Sequence, residues 1–297
     1  MNRREFLKRS LRATGGSLAA TTLTAWPHAL FAADKPKLAS DRVTLGSGPA
    51  RLRVSRLAMG TGSGGWNHHS NQTRQLGVRG LADLLRLAYD RGVTFWDSAD
   101  QYGSHPHLRE ALRTVPRDQV TILTKTRATT AAEARADLDR FRQELGTDYL
   151  DILLLHCLED GDWPEKLRPV MDVIGEARER GLVRAHGVSC HTLPALHAAA
   201  RSPWVQVNLA RINPAGVIMD ADVPTVRGVL RQMKAAGKGV IGMKILGAGQ
   251  LREHRDEALQ YALSLMNDCV DCFTIGSESA AEFTDLTQRI AAAGVRG

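Results

Sequence analysis

The central motif of the sequence reads Gly92-Val93-Thr94-Phe95-Trp96-Asp97-Ser98-Ala99-Asp100-Gln101-Tyr102-Gly103. Its short apolar run, from Val93 to Trp96, predicts a buried strand. The strand ends at Asp97, and Tyr102 follows five residues later in a loop that contains glycine. The motif therefore predicts a site that receives a carboxylate and a phenol. Taken alone, it fits equally well with an aspartate that caps a turn and a tyrosine that only packs.

Short apolar runs of this kind alternate with stretches of helical periodicity along the whole body of the chain. The other predicted strands are 57–59, 120–124, 150–155, 185–188, 205–208, 240–243 and 272–275, and the predicted helices are 79–91, 107–113, 130–145, 165–180, 193–200, 223–236, 257–266 and 280–292. About eight strand–helix units over roughly 240 residues is a normal size for one barrel.

The alternation predicts an α/β fold, namely a single-domain (β/α)₈ TIM barrel over residues 42–297. An N-terminal hairpin of 43–45 and 52–54 precedes the barrel, since the two runs are separated by a Gly/Pro turn. A doubly wound open sheet is the alternative. It fits less well because the Gly-rich loop at 60–65 is followed by a polar stretch, 66–78, instead of a helix.

Composition indicates a folded globular protein, with 43% hydrophobic and 24% charged residues. The net charge is +7, but residues 1–33 hold five basic residues and one acidic residue, or +4, which leaves +3 for the rest. No basic run interleaved with aromatic residues occurs in the body of the sequence. We therefore expect no nucleic-acid partner.

The first 33 residues resemble a twin-arginine export signal. Arg3 and Arg4 are followed by an acid, Phe-Leu and a lysine, then by a mildly apolar stretch at 18–23 and small residues at 29–33. This predicts a signal peptide at 1–33, the twin-arginine export machinery as a partner, and a periplasmic location. The apolar stretch is too short to span a membrane. A basic amphipathic helix, a disordered arm and an uncleaved tether are the alternatives.

Polar residues follow the predicted strands at their carboxyl ends, where the active sites of such barrels lie. They are Asp97, Lys125, His156, Ser189, Gln206 and Lys244. A lysine ammonium beside Tyr102 should lower the pKa of the phenol from about 10, and His156 can orient a carbonyl oxygen. Such a group suits protonation of a carbonyl under hydride attack, with the hydride coming from a nicotinamide cofactor.

The order of these motifs resembles the aldo-keto reductase superfamily from about Arg42 to the C-terminus. The matching elements are Met59-Gly60-Thr61-Gly62, the central motif, TILTK, DILLLH, GVSCH and Gln206. The resemblance implies NADPH-dependent reduction of an aldehyde or ketone, with Tyr102 as proton donor, Asp97 and Lys125 tuning it, and His156 orienting the carbonyl. The cofactor-binding residues that it implies are Gly60, Thr61, Asp97, Ser189, Gln206, Lys244 and Ser277.

The resemblance favours NADP(H) over NAD(H), but the segment after the last strand departs from the family. Gly276-Ser277-Glu278-Ser279 lacks the usual basic residues, and Glu278 would repel a 2′-phosphate, so the choice stays open. Aromatic residues that often stack on the nicotinamide are replaced by Asn208 and Lys244. The chain ends soon after the last helix, which predicts an open site. The natural substrate and the oligomeric state are not specified by the sequence.

Other candidate sites have simpler interpretations. Cys269 and Cys272 have C-x-x-C spacing, but they precede a strand, so we expect free or buried thiols instead of a redox pair. Histidines 68, 69, 105 and 107 lack the spacing of a zinc site, and we expect no metal. An alternative function, suggested by the poor supply of NADPH outside the cytoplasm, is an exported barrel that binds a ligand without turnover.

Overall fold

The computed structural model describes residues 37–266 and 268–294. The predicted signal peptide at 1–33 lies outside the described residues. In chain order the strands are β1 Arg42–Leu45, β2 Leu52–Ser55, β3 Leu57–Gly60, β4 Phe95–Asp97, β5 Thr121–Thr126, β6 Leu150–Leu158, β7 Val183–Cys190, β8 Val207–Arg211, β9 Gly239–Met243 and β10 Cys272–Gly276.

Helices follow the barrel strands, so each β/α unit is compact. They are α1 Asn71–Asp90, α2 His105–Ala111, α3 Ala131–Leu145, α4 Trp163–Lys166, α5 Arg168–Glu179, α6 Leu193–Arg201, α7 Val223–Ala235, α8 Arg255–Ser264 and α9 Ala280–Gly294. Helix α3 starts at a capping box, in which Thr130 accepts from the Glu133 amide and the Glu133 side chain accepts from the Thr130 amide.

The strands β3 to β10 form a closed barrel in which each pair of neighbours is parallel, and β10 pairs with β3 to complete the ring. In the first three strands Met59 pairs with Trp96, and Trp96 pairs with Ile122. The antiparallel pair β1–β2 forms a separate two-stranded sheet. The predicted (β/α)₈ barrel and the predicted N-terminal hairpin are both confirmed.

Alternation along the strands separates an inner core from an outer one. Phe95, Leu123, Ile152 and Leu154 belong to the inner cluster, which fills the barrel. Their neighbours in the sequence, such as Trp96, pack against the helices. Leucines and valines of the hairpin (Leu45, Leu52 and Val54) join the inner cluster, and thereby cover the amino-terminal end of the barrel. The carboxyl-terminal end is left for a site.

The polar stretch at 66–78, predicted as a loop, is helical from Asn71 onward. Ser70 caps α1 by accepting from the Thr73 amide, and Gly77 interrupts the helix with φ of 60°. Only Leu76 and Val78 are strongly apolar between residues 71 and 78, so the first turns lack a helical apolar spacing. The sequence pattern therefore placed the helix start eight residues too late, at 79 instead of Asn71.

The prediction that Gln206 follows a strand is wrong. β8 begins at Val207, so Gln206 precedes it at the amino-terminal end of the barrel. Its side-chain oxygen accepts a hydrogen bond from the His186 amide (3.1 Å), and its carbonyl accepts one from the Gly239 amide (2.8 Å). Gln206 therefore links β7, β8 and β9 on the amino-terminal side of the barrel, which is opposite to the predicted site.

The four cysteines are free thiols, as expected; Cys157 is half-buried, and the other three are buried. Burial raises the pKa of Cys269 to about 11, so this thiol is not activated for redox chemistry. Among the helices in the described part of the chain, none combines the length and the apolarity needed to cross a membrane.

Candidate active site

Asp97, Lys125 and Tyr102 meet at the carboxyl-terminal mouth of the barrel. Lys125 Nζ donates to Asp97 Oδ1 (2.5 Å), to the carbonyl of Ser98 (2.7 Å) and to Tyr102 Oη (3.4 Å). The alternation of the strands explains this convergence. Asp97 and Lys125 each lie two residues beyond an inward-facing core residue, so both side chains point into the barrel.

Asp97 is also held by neutral hydrogen bonds, in addition to its pairing with Lys125. Thr274 Oγ1 donates to Asp97 Oδ2 (2.8 Å), and the Thr61 amide (3.0 Å) and hydroxyl (2.9 Å) both donate to the Asp97 carbonyl. Ser104 Oγ lies 2.8 Å from the Thr61 hydroxyl and 2.7 Å from Ser98 Oγ. The fixed carboxylate orients the ammonium of Lys125, which in turn faces the phenol.

Tyr102 is positioned by a tight turn and by two glycines. It ends the 3₁₀ turn Asp100–Tyr102, and its ring lies against Gly62 and Gly65, where an added Cβ would come within 2.3 Å and 2.4 Å of ring carbons. Only residues without a side chain permit this close approach. Arg140 anchors the same turn by donating to Asp100 Oδ1 (2.6 Å).

The pKa of Tyr102 is raised, because burial of the phenol outweighs the opposing effect of the Lys125 ammonium. Lys125 thus lowers this pKa as expected, but the net shift is opposite to the expected one because burial has the larger effect. The pKa of Lys125 is also raised, since Asp97 and Tyr102 more than offset the effect of burial. Tyr102 is thus a protonated acid beside a fixed cation, and this cation is placed to stabilise the phenolate that forms when the proton leaves.

His156 faces Tyr102 across the mouth. The two ring centroids are 5.7 Å apart with the planes at 82°, an edge-to-face arrangement. Burial, together with the nearby Lys125, His191 and Arg127, lowers the pKa of His156 well below its ordinary value. Its Nδ1 is buried with no hydrogen-bond partner among the described atoms. A neutral imidazole of this kind can donate one hydrogen bond to a carbonyl oxygen.

Ser189 and Lys244, two of the predicted cofactor residues, do lie at the mouth. Ser189 Oγ accepts from the Cys157 amide (2.9 Å), so its own hydroxyl proton is free to donate to a ligand. Lys244 follows β9 with φ of 58°, and burial near Arg211 lowers its pKa. Lys244 is thus held partly desolvated beside the site, where it can meet an anionic group.

Space for an elongated ligand exists at the carboxyl ends of β9 and β10. A cavity of about 430 Å³ there is lined by Ser277, Gly276, Leu246 and Arg252, among others. A second glycine of the site, Gly60, ends β3, where an added Cβ would lie 3.0 Å from Thr274 Oγ1. The cavity offers the backbone of Gly276, the hydroxyl of Ser277 and the guanidinium of Arg252. These are the donors that a dinucleotide phosphate needs, so the residues present fit the predicted cofactor.

Thr61 supports the end of β4, and its predicted place in the cofactor cleft stays a prediction. It is fully buried, and its hydroxyl is occupied by Asp97 and Ser104.

Several residues of the site were not predicted from the sequence. They include Thr274, Arg127, His191 and Arg252. A signal was available for the first two. Thr274 takes an inward position near the end of β10, and Arg127 lies two residues beyond Lys125, directly after the end of β5. Arg252 follows a 3₁₀ turn, and no periodic pattern points to it.

A cluster of Asp100, His105 and Glu144 has the side-chain spacing of a metal site. Its carboxylates are already engaged by the Arg140 guanidinium, which donates to Asp100 (2.6 Å) and Glu144 (3.1 Å). His105 is occupied at both nitrogens, by Glu144 (2.7 Å) and by Thr124 (2.7 Å). The cluster therefore acts as a support beneath the turn that carries Tyr102.

The family model "Aldo/keto reductase family" matches residues 56–288. D-threo-aldose 1-dehydrogenase from a Pseudomonas species is 24% identical over 214 residues, covering 60% of this chain and 64% of that protein. 2,5-diketo-D-gluconic acid reductase B from a Corynebacterium species is 34% identical over 150 residues, covering 46% and 51%. The match thus spans about half to two thirds of these curated relatives.

Solved structures agree in fold. An aldo-keto reductase structure from Pseudomonas aeruginosa has a TM-score of 0.68 at 24% identity, covering 87% of this chain and 98% of that one. A Klebsiella pneumoniae aldo/keto reductase in complex with NADP and acetate has a TM-score of 0.62 at 22% identity, covering 85% and 89%. Since the family model extends over most of the described barrel, the chain belongs to the aldo/keto reductase family.

Proposed function

We propose that this protein is an oxidoreductase that reduces an aldehyde or ketone to an alcohol with a nicotinamide cofactor. The observation that carries the proposal is the position of Lys125 Nζ, 2.5 Å from Asp97 Oδ1 and 3.4 Å from Tyr102 Oη, with His156 facing the same phenol. Such an arrangement delivers one proton to an oxygen atom and stabilises the charge left behind.

The nicotinamide, when bound, supplies the hydride. Tyr102 Oη gives its proton to the carbonyl oxygen as negative charge develops there. Lys125 interacts more strongly with the phenolate than with the phenol, so its stabilising effect is largest in the transition state. Asp97 keeps the ammonium charged and in place, since the carboxylate is itself fixed by Thr274.

His156 would hold the carbonyl oxygen within reach of Tyr102. Its neutral state suits this task, because a second cation beside Lys125 would be repelled and would disturb the phenol. Ser189, in β7, and Lys244, directly after β9, lie at the mouth, where a hydroxyl donor and a cation can orient the cofactor. These roles are proposals from geometry and from family membership.

Titration of the purified protein with NADPH and with NADH, followed by intrinsic fluorescence, tests cofactor binding. Loss of cofactor absorbance in the presence of a panel of aldehydes and ketones then tests turnover. We expect binding and turnover. Binding with no turnover on any carbonyl would favour the alternative function as a binding protein, and no binding of either nucleotide would refute the proposal.

We further propose that NADP(H) is preferred over NAD(H). Glu278, which was expected to repel a 2′-phosphate, is tied to Asn71 Nδ2 (2.8 Å) across the cavity. Arg255 and Arg289 in the same cavity both pair with Asp285. Arg252 has no ion pair within the described residues, so it is the cavity cation available to a phosphate beside Ser277.

Replacement of this cation tests the preference. Arg252→Gln should weaken NADPH binding about tenfold, since charge-assisted hydrogen bonds at an exposed position contribute roughly 1–2 kcal/mol. NADH binding should stay within about twofold, because NADH lacks the phosphate that this arginine would meet. The exposed Arg168→Gln is the matched control. Equal loss for both nucleotides would contradict the assignment of Arg252 to the phosphate.

We also propose that the protein is exported to the periplasm by the twin-arginine route. The support is the sequence of residues 1–33 alone, with Arg3 and Arg4 at its start. Cell fractionation of the full chain, with the mass of the mature protein, tests it. The double variant Arg3→Lys/Arg4→Lys should stay in the cytoplasm, and a periplasmic double variant would contradict this route.

A further inference from the structure

Arg127 is a cation at the mouth of the barrel that the catalytic steps above do not use. It follows β5 two residues after Lys125 and is exposed. Arg127 lies directly beyond the carboxyl-terminal end of β5, and its charge acts on His156, so it belongs to the same mouth of the barrel. Thr126, between them, points outward and donates to Asp137 Oδ2 (2.5 Å).

Arg127 packs on an aromatic ring instead of pairing with a described carboxylate. Within the described ranges it forms no ion pair, and its recorded partner is the ring of Trp66, with Cζ 5.0 Å from the ring centroid. A guanidinium that rests on an aromatic face keeps its edge donors free. Stacking therefore orients Arg127 without using its hydrogen-bonding capacity.

Trp66 is held in place for this contact although 54% of it is exposed. Its amide donates to the His69 carbonyl (2.9 Å), and the His69 amide donates back (3.2 Å). The two residues between them, Asn67 and His68, have left-handed φ of 54° and 59°. Non-glycine residues adopt this conformation at a cost, so the tight turn is a constrained platform instead of a loose loop.

The turn formed by residues 66–69 adjoins the catalytic site. Gly65, which precedes Trp66, packs against the Tyr102 ring, where its added Cβ would lie 2.4 Å from a ring carbon. The charge of Arg127 is one cause of the lowered pKa of His156. Burial, followed by the charges of Arg211, Lys244, Arg127 and Lys125, lowers the pKa of His191 to about 4. Arg127 and Trp66 therefore border the same space that Tyr102 and His156 face.

Position around the barrel separates Arg127 from the cofactor side. The ring order places β9 four strands away from β5, on the opposite side. Lys244 and the cavity beside Ser277 lie on the β9–β10 side, whereas Arg127 follows β5. Trp66 follows β3, which adjoins β10, and its ring reaches Arg127 from there. Of the other cations at the mouth, Lys125 is paired with Asp97 and Arg211 with Asp220. Arg127 is thus the unpaired cation on the substrate side of the described mouth.

We propose that Arg127, supported by Trp66, binds a carboxylate on the substrate, so that the preferred substrates are carbonyl compounds that also carry an acid group. This inference rests on the proposed reductase function. The hydride from the nicotinamide would pass to the carbonyl carbon, and the Tyr102 proton would pass to the carbonyl oxygen. The carboxylate of the substrate takes no part in the reaction and is retained in the product. The planar guanidinium matches a carboxylate with two parallel hydrogen bonds, which neutral substrates do not offer.

A matched pair of substrates tests the proposal. 4-Carboxybenzaldehyde and methyl 4-formylbenzoate have the same reacting aldehyde and differ in charge at the far end. We expect wild-type kcat/KM to favour the acid at least tenfold. Arg127→Gln should lower kcat/KM for the acid about tenfold, mainly through KM, and change the ester less than threefold. Arg135→Gln, which affects an exposed pair with Glu176, is the control and should change neither.

Binding gives a readout independent of turnover. The alcohol products, 4-(hydroxymethyl)benzoate and its methyl ester, are titrated against the protein with NADP⁺ present, and Trp fluorescence is followed. Wild type should bind the acid more tightly, and Arg127→Gln should bind both alike. No preference for the acid in binding or in turnover, or equal losses for acid and ester in Arg127→Gln, overturns the proposal. Preferential binding of the acid with no reduction of either aldehyde overturns only the reductase function.

Discussion

Replacement of Lys125 by methionine is expected to destabilise the barrel strongly. The ammonium and its partner Asp97 are almost fully buried, with side-chain exposures of 0% and 9%. Removal of one member of a buried ion pair leaves the other uncompensated, which costs about 3–5 kcal/mol. Thr274 still donates to Asp97 Oδ2 in the variant, so we expect a loss near the lower end, about 3 kcal/mol.

The assay is urea unfolding of four proteins: wild type, Lys125→Met, Asp97→Asn and the double variant. Because the neutral amide no longer needs a cation, the double variant should lose less stability than the sum of the single variants, by about 2 kcal/mol. Lys166→Met, which breaks an exposed pair with Asp160, is the matched control and should leave the midpoint unchanged. Additive losses, or a Lys125→Met midpoint equal to that of the control, would refute the assigned coupling.

Two further perturbations test how Tyr102 is positioned and how buried histidines respond to pH. Gly62→Ala places a Cβ 2.3 Å from the Tyr102 ring and should lower turnover at least tenfold, whereas Gly175→Ala, with no atom within 4 Å of the added Cβ, should keep normal turnover. Burial and Arg178 lower the pKa of His186 to about 4. Since the unfolded chain binds that proton below its ordinary pKa of about 6.5, stability should fall by roughly 3 kcal/mol between pH 7 and pH 4 from this group. The variant His186→Phe retains an aromatic ring to stack on Trp204, and its urea unfolding midpoint should depend less on pH than that of wild type. An unchanged pH dependence would contradict the role of His186.

Much of the barrel was predictable because parallel strands buried on both faces read as short apolar runs between amphipathic helices. The strand ends then gave Asp97, Lys125 and His156, since a two-residue period carries each one past an inward-facing core residue. Tyr102 was predictable from its place in the next loop. The convergence of the four residues is a consequence of topology.

The remaining features depend on register and burial, which an apolar run does not encode. The run at 205–208 contains the start of β8 but not its end, so Gln206 was assigned to the wrong end of the barrel. The direction of the Tyr102 pKa shift was predicted wrongly, because the degree of burial is a property of packing. The contact of Arg127 with Trp66 and the position of Arg252 in the cavity both depend on the folded structure, so the sequence did not predict a role for either residue.

Tyr102 is proposed to donate the proton to the carbonyl oxygen. The most direct test is the single-turnover rate of hydride transfer from NADPH to methyl 4-formylbenzoate in Tyr102→Phe, with cofactor affinity measured on the same sample. Tyr89→Phe, which removes an exposed hydroxyl bonded to Gln119, is the control. We predict a loss of about 10²–10⁴-fold in rate with NADPH affinity within about twofold. A Tyr102→Phe rate within threefold of wild type would contradict the account.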